Sequence, residues 1–353
     1  MCKGETVPHA DILTDILNYM KTSITSRFFV ALLVFVTLFG VRIDRGSTIN
    51  EASLPLSPHE RIGVYLTSFA LTKEGTLAGI IAEAKKGKIN AVVINVKNMH
   101  GEVTYASNVP LAREIGAAVG RINPRVLIRR LHDVGIYVIA RQVLFYDPKL
   151  AAYLKLSSHW VPPNNSQAVK YNLAIASEVA SLGFDELQFD YLRFPDGDGL
   201  GTGYGARYAA IDKFLDAARK VLAGRITISA DLFGRVMWNW NKKKIDPIGQ
   251  SLEEIAARVD FVSPMLYPSH YSEEYYKDNP YRVVKEALAT GKTRVKTPLR
   301  PFLQAFNRDI PTGMSLEEYI RAQIKAAQEA GADGYLFWNP NCDYTALYRA
   351  LEG

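Results

Sequence analysis

The chain runs to 353 residues, 48% hydrophobic, 22% charged and 11% aromatic, with a net charge of +6. That composition excludes a disordered, collagen-like or coiled-coil chain, and a mean hydropathy of -0.05 excludes a polytopic membrane protein. No basic run exceeds Lys242-Lys243-Lys244, so the mild positive balance does not point to nucleic acid.

The first element in chain order is FFVALLVFVTLFGV, Phe28 to Val41, uncharged and flanked by Arg27 and Arg42. As a helix it would cover roughly 21 Å, short of the ~30 Å hydrocarbon core and close to the length of a signal-peptide apolar region. The long stretch before it, and the lack of an A-x-A site after Phe39, argue against simple cleavage. The expectation is a signal or anchor segment that places the remainder outside the cytoplasm, secreted or held on the cytoplasmic membrane. Residues 42–61, with Pro55 and Pro58, read as a tether, which divides the chain into 1–60 and a folded domain over 61–353.

From Arg61 onward, β-branched runs alternate with amphipathic stretches. Predicted strands are IGVYLT from Ile62, NAVVINV from Asn90, IYVIARQV from Ile136 and FDELQFD from Phe184. They continue with ITISADL from Ile226, DFVSPMLY from Asp260, a looser TPLRPFLQAF from Thr297 and DGYLFWN from Asp333. Helical patterns lie between them, at Ile80, Val126, Ala174, Ala210, Leu252 and Tyr319. Eight such units predict an α/β fold, a (β/α)8 TIM barrel. The competing doubly wound sheet would need a Gly-rich first turn, which VYLTSFALTKEG does not supply. Gly135, Gly183 and Gly331 each precede a strand closely, as helix-terminating glycines do. Asp185, Asp260 and Asp333 then fall at strand entrances, where a structural role is expected.

Catalytic groups of such barrels stand at the C-terminal ends of the strands. Alternation puts Glu186, Gln188 and Asp190 on one face of the fourth strand, and Ser229 and Asp231 on one face of the fifth. Two carboxylates on adjacent strands can flank a glycosidic bond, provided one is ionised while the other keeps a proton. An arginine, Arg193 or Arg141, near Asp190 would favour its anion. Asp231, close to Phe233 and Trp238, would have its proton held by desolvation. Asp190 is therefore expected as nucleophile or charge stabiliser and Asp231 as acid/base. Lys97, Arg141, Gln188, Arg193, Tyr267, His270, Gln304, Trp338 and Asn339 are expected to contact substrate from the tops of other strands and their loops. Arg300 is read as lying near the top of the seventh strand. Trp338 is the foremost platform for a sugar face.

The runs GVYLTSFAL, NAVVINVKN, LHDVGIYVIAR, LGFDELQFDYLRFPD, SADLFG, DFVSPMLYPSHY and LRPFLQAF resemble the bacterial glycosyl hydrolase domain family, a TIM-barrel group distantly similar to α-amylase-type hydrolases. The resemblance covers roughly Arg61 to Asn339 and implies a sugar-cleaving enzyme. A nucleophilic acid on the fourth strand and a proton donor on the fifth are similar to the amylase arrangement. Gln188 stands where that arrangement has arginine, and Asp231 where its donor is usually glutamate.

Several other signals carry no site. The two cysteines, Cys2 and Cys342, form no CxxC pair, and the six histidines show no paired-ligand spacing, so neither metal nor cofactor is expected. The loop PDGDGLGTGYGARY fails both the EF-hand and the GxGxxG patterns and is read as a lid over the barrel mouth. The expected partner is a carbohydrate substrate, with membrane contact through the N-terminal segment if it is retained. Two other readings stand beside the hydrolase. A catalytically silent glycan-binding barrel would use the same face, and a metal-dependent carbohydrate deacetylase is disfavoured by the missing histidine pair.

Overall fold

The computed structural model describes residues 60–73, 75–197 and 202–352. The hydrophobic segment and its tether lie outside the described residues, as does the middle of the predicted lid. Among the described residues no helix is long and apolar enough to cross a membrane.

Ten strands occur in chain order: β1 (Arg61–Leu66), β2 (Ala91–Lys97), β3 (Val103–Tyr105), β4 (Ala118–Ile122), β5 (Tyr137–Val143), β6 (Glu186–Asp190), β7 (Thr227–Phe233), β8 (Phe261–Met265), β9 (Phe302–Gln304) and β10 (Gly334–Trp338). Eight of them close a parallel ring in the order β1-β10-β9-β8-β7-β6-β5-β2, with β2 pairing back onto β1. The helices are α1 (Thr76–Lys85), α2 (Pro110–Glu114), α3 (Pro124–His132), α4 (Pro148–Tyr153), α5 (Ser166–Val179) and α6 (Tyr204–Leu222). They continue with α7 (Leu252–Ala256), α8 (Glu274–Lys277), α9 (Pro280–Lys292), α10 (Leu316–Glu329) and α11 (Thr345–Ala350). The chain is thus the (β/α)8 barrel that the alternation of its strands and helices predicts.

Three features depart from the sequence reading. Strands β3 and β4 form an excursion that continues the barrel wall outward from β2, antiparallel and then parallel. Both are too short to show a hydrophobic period. Strand β9 is only three residues long because Pro298 and Pro301, which carry no backbone N–H, interrupt the run before it. Helix α6 begins at Tyr204, so the second half of the predicted lid is helix. Arg207 in its first turns is buried and donates to the carbonyls of Thr202, Gly197 and Pro247.

The ring is locked at its N-terminal end by a device used four times. Asn90, just before β2, accepts the backbone N–H of Ile62 on β1 at 2.8 Å. Asp185 before β6 accepts from Val138 on β5 at 2.7 Å, and Asp260 before β8 from Ile228 on β7 at 2.8 Å. Asp333, before β10, accepts from Leu299 at the approach to β9 at 3.1 Å. Each acceptor captures the first orphan donor of the neighbouring strand and thereby sets the pairing register. The expected C-terminal glycines recur with it: Gly135, Gly183 and Gly331 all have positive φ.

Inside the ring the floor is polar. Glu186 accepts from Arg300, from Ser229 Oγ at 2.5 Å and from Tyr137 at 3.2 Å, all fully or nearly buried. Arg300, expected near the mouth, lies here instead, since β9 starts two residues after it. Above this layer an apolar band including Val93, Ile139, Phe302 and Leu336 fills the barrel. The floor and the band leave only the C-terminal end open to a ligand.

Asp185→Ala, Asp260→Ala and Asp333→Ala are each expected to lower folding stability by about 1–3 kcal/mol, the cost of orphaning a strand N–H. Chemical denaturation measures this, and ligand binding by the folded fraction should be unchanged.

Candidate active site

The mouth is organised around Arg141, which points inward from β5 and is buried. Its Nε donates to Asp190 Oδ2 at 2.9 Å, Nη2 donates to the same oxygen, and Nη1 donates to Asn95 Oδ1 at 2.7 Å. Asn95 in turn donates to the Tyr65 hydroxyl at 2.6 Å. Burial opposes the charge on Arg141, but the Asp190 carboxylate more than restores it, so the guanidinium stays firmly protonated.

Asp190 ends β6, and the next residue, Tyr191, turns sharply with φ 51. A left-handed conformation is costly for an aromatic residue, about 1–3 kcal/mol, and tends to persist where function depends on it. Here it folds the Tyr191 N–H back onto Asp190 Oδ1 at 2.5 Å. Asp190 is thus clamped by a cation on one oxygen and by a backbone donor on the other.

Asp231 comes from the neighbouring strand β7. Its Oδ2 lies 3.8 Å from Arg141 Nε, while its Oδ1 is buried without a hydrogen-bond partner. Burial above all, and then the negative charge of Asp190, push its acid well above the usual carboxylate range, against the pull of Arg141. The two carboxylates therefore stand in opposite surroundings. Both approach one Arg141 nitrogen, so their Oδ2 atoms are no farther apart than the sum of the 2.9 and 3.8 Å legs.

These groups line a cavity of about 180 Å³, walled also by Arg193, Phe233, Met265, Tyr267, His270 and Trp338. It opens past Phe233, Met265 and His270 into a trough of about 810 Å³, lined by Trp238, Trp240, Tyr271, Tyr276 and Arg308. Gly234 floors the trough. A Cβ there would meet the Met265 carbonyl at 2.5 Å and the Tyr271 hydroxyl at 2.7 Å. Burial and the nearby Arg308 charge lower the pKa of His270, so its imidazole is neutral at pH 7. Among the described residues no cluster of three or more carboxylate, imidazole or thiol groups is placed to hold a metal ion.

Of the residues expected at the site, Asp190, Asp231, Arg141, Arg193, Tyr267, His270 and Trp338 come together in the cavity. Lys97, Gln188, Gln304 and Asn339 do not line it. The β2–β5 register shifts between Asn95 and Lys97, which turns Lys97 out of the barrel. There it is fully buried, bonded to Asp147 at 2.7 Å and to the Val143 and Leu144 carbonyls. Gln188 bonds Ser263 inside the barrel below the mouth. Gln304 fixes a loop through the Phe306 and Arg308 carbonyls, and Asn339 does the same through those of Ala305 and Asp343. Trp338 reaches the cavity with one face already covered by Tyr65, at 3.8 Å between centroids and 18° between planes. The residue overlooked as a participant is Asn95. It lies at the top of β2, two residues before Lys97, and faces inward opposite Arg141.

Two stability effects follow. Lys97→Ala leaves Asp147 buried without its cation and should cost about 3–5 kcal/mol in chemical denaturation. For Asp231, the folded chain holds its proton to a higher pH than the unfolded chain, whose acid ionises near 3.9. That stability is complete below the unfolded value and lost as pH rises through the folded one. Asp231→Asn should therefore flatten the fall of thermal stability with rising pH and raise the melting temperature at neutral pH.

Comparison with known proteins agrees with the fold. Residues 63–344 match the family described as "Putative glycosyl hydrolase domain". The PgaB (BpsB) glycoside hydrolase domain of Bordetella bronchiseptica superposes with a TM-score of 0.63 at 17% identity, over 83% of this chain and 98% of that one. An endo-1,4-beta-D-mannanase of Thermotoga petrophila gives 0.56 at 13% identity, over 79% and 88% of the two chains. A chitinase of Chromobacterium violaceum gives 0.54 at 12%, over 83% and 98%. At these identities the likeness to the three structures is one of fold. Comparison with curated proteins finds no match. The family match runs from the first barrel strand to the turn after the last, and the chain belongs to this family of glycosyl hydrolase domains.

Proposed function

We propose that the protein is a glycoside hydrolase that cleaves a polysaccharide or cell-envelope glycan outside the cytoplasmic membrane, using Asp190 and Asp231. The observation that carries the reading is the unequal treatment of the two acids around Arg141. Asp190 is ion-paired, whereas Asp231 is buried, has one oxygen without a partner and has its pKa raised well above the usual carboxylate range. Asp231 gives its proton to the glycosidic oxygen as the C–O bond breaks, and the Asp190 carboxylate meets the positive charge at the anomeric carbon. The Oδ2 separation, bounded by 2.9 and 3.8 Å legs, reaches only the lower edge of the roughly 6.5–9.5 Å of inverting pairs. This favours the retaining course: Asp190 bonds to the anomeric carbon, and ionised Asp231 then takes a proton from the water that releases the sugar. The polymeric substrate is inferred from the aromatic-lined trough beside the cavity, and the location from the hydrophobic segment 28–41.

The test is the appearance of new reducing ends when the protein is incubated with α-glucans, amino-sugar polymers and cell-wall glycans. Asp190→Asn and Asp231→Asn should each lower the rate by about 100- to 10,000-fold. The rate should fall as pH rises through the elevated Asp231 value, because the acid must be protonated. Wild-type cleavage by Asp190→Asn would refute the assignment. Retention on a glycan without cleavage would favour the silent binding barrel.

Trp240 is 37% exposed in the trough. Trp240→Ala should raise KM for a polymer by about threefold to tenfold, the loss of one aromatic contact, and leave the turnover of a short aryl glycoside unchanged.

A further inference from the structure

The cavity that holds Asp190 and Asp231 contains a second guanidinium which the two-carboxylate chemistry does not use. Arg193 has a side chain only 12% exposed. Its charge centre lies 4.5 Å from the ring of Trp160, 5.4 Å from Tyr191 and 4.4 Å from Phe233, an aromatic collar that fixes the fork in place. Nη1 donates to the Phe194 carbonyl at 2.9 Å. Among the described residues, Nε and Nη2 donate to no protein acceptor.

The negative charge nearest to it is weak compensation. Asp196 lies 3.6 Å away, but it is 55% exposed and takes a closer bond, 2.5 Å, from Arg235. Elsewhere in the cavity Asp190 is ion-paired to Arg141, and Asp231 lies 3.8 Å from the same guanidinium. Arg193, largely buried, is left without a close and equally buried counter-charge. Burial lowers the pKa of Arg193, with Asp196 and Asp190 only partly opposing it. An undercompensated buried cation is costly to the folded chain unless a ligand completes it.

We propose that Arg193 recognises an anionic substituent on the sugar held beside Asp190 and Asp231, so that the substrate is an acidic glycan bearing carboxylate or sulfate groups. Its planar fork suits the two oxygens of a uronate carboxylate. That such a glycan is cleaved rests on the hydrolase reading, but the anion site does not. If Arg193 served only to support Asp190, its loss would affect acidic and neutral sugars equally.

Binding of glucuronate, glucose 6-sulfate and glucose to the full chain, followed by calorimetry and thermal shift, tests this. Arg193→Met keeps an apolar stem against the rings and removes the charge. Glucuronate should bind about tenfold to hundredfold tighter than glucose, with the advantage lost in Arg193→Met and reduced by salt. Equal binding of glucose 6-sulfate would mean that charge alone is read, and weaker binding that the planar carboxylate is. Should Arg193→Met fold poorly, Arg193→Lys should weaken glucuronate severalfold and leave glucose unchanged. Equal affinity for glucuronate and glucose in the wild type, or a preference that survives both substitutions, overturns the proposal. Cleavage of acidic and neutral polymers diminished equally by Arg193→Met would also overturn it, while leaving the hydrolase reading intact. An Arg193-dependent preference for glucuronate without cleavage of any glycan would keep the anion site and remove the hydrolase.

Discussion

A single buried guanidinium sets the arrangement of the barrel mouth. Arg141 sits where water is excluded, and its charge persists there because Asp190 is ion-paired against it and Asp231 lies within reach. Asp231 is fully buried, and one cation cannot fully compensate two adjacent carboxylates, so burial first and the charge of Asp190 second push its acid well above the usual carboxylate range. The difference between two chemically identical side chains thus comes from burial and from their placement around Arg141, on neighbouring strands. Asn95 and Tyr65 continue the network and hold the guanidinium from the side opposite the acids.

The rest of the fold serves to keep that placement rigid. Register decides which side chains face inward, and the four acceptors at the N-terminal end of the barrel fix register where the strands begin. The polar floor around Glu186 and Arg300 seals the other end. The Lys97–Asp147 pair braces the outer side of β2 against the loop after β5. Stability is spent at the mouth itself, in the left-handed Tyr191, the partnerless Asp231 oxygen and the collared Arg193. Binding sites are where folded chains tolerate such costs.

Most of the architecture was legible in the chain. All eight barrel strands lie where β-branched runs predict them, the glycines end helices as expected, and the acids at the strand entrances take the structural role expected of them, as register acceptors. Strand alternation also identified Asp190, Asp231 and Arg141 as inward residues. What alternation cannot supply is height within the barrel or a break in register. Arg300 shares its parity with mouth residues but belongs to the floor, and a shift of pairing after Asn95 turns Lys97 outward. Gln304 and Asn339 illustrate a different limit. An amide at a strand end suits a sugar hydroxyl and a loop carbonyl equally well, and only the fold decides between them. The excursion through β3 and β4 is too short to leave a period.

The acid chemistry at the mouth depends on the elevated pKa that burial and the charge of Asp190 give Asp231. Carbon-13 NMR of the aspartate carboxyl groups, titrated with pH and assigned with Asp231→Asn, measures this directly. The Asp231 carboxyl carbon should titrate well above the ordinary aspartate value of about 3.9. An Asp231 that ionises in the ordinary range would leave the barrel mouth without its acid.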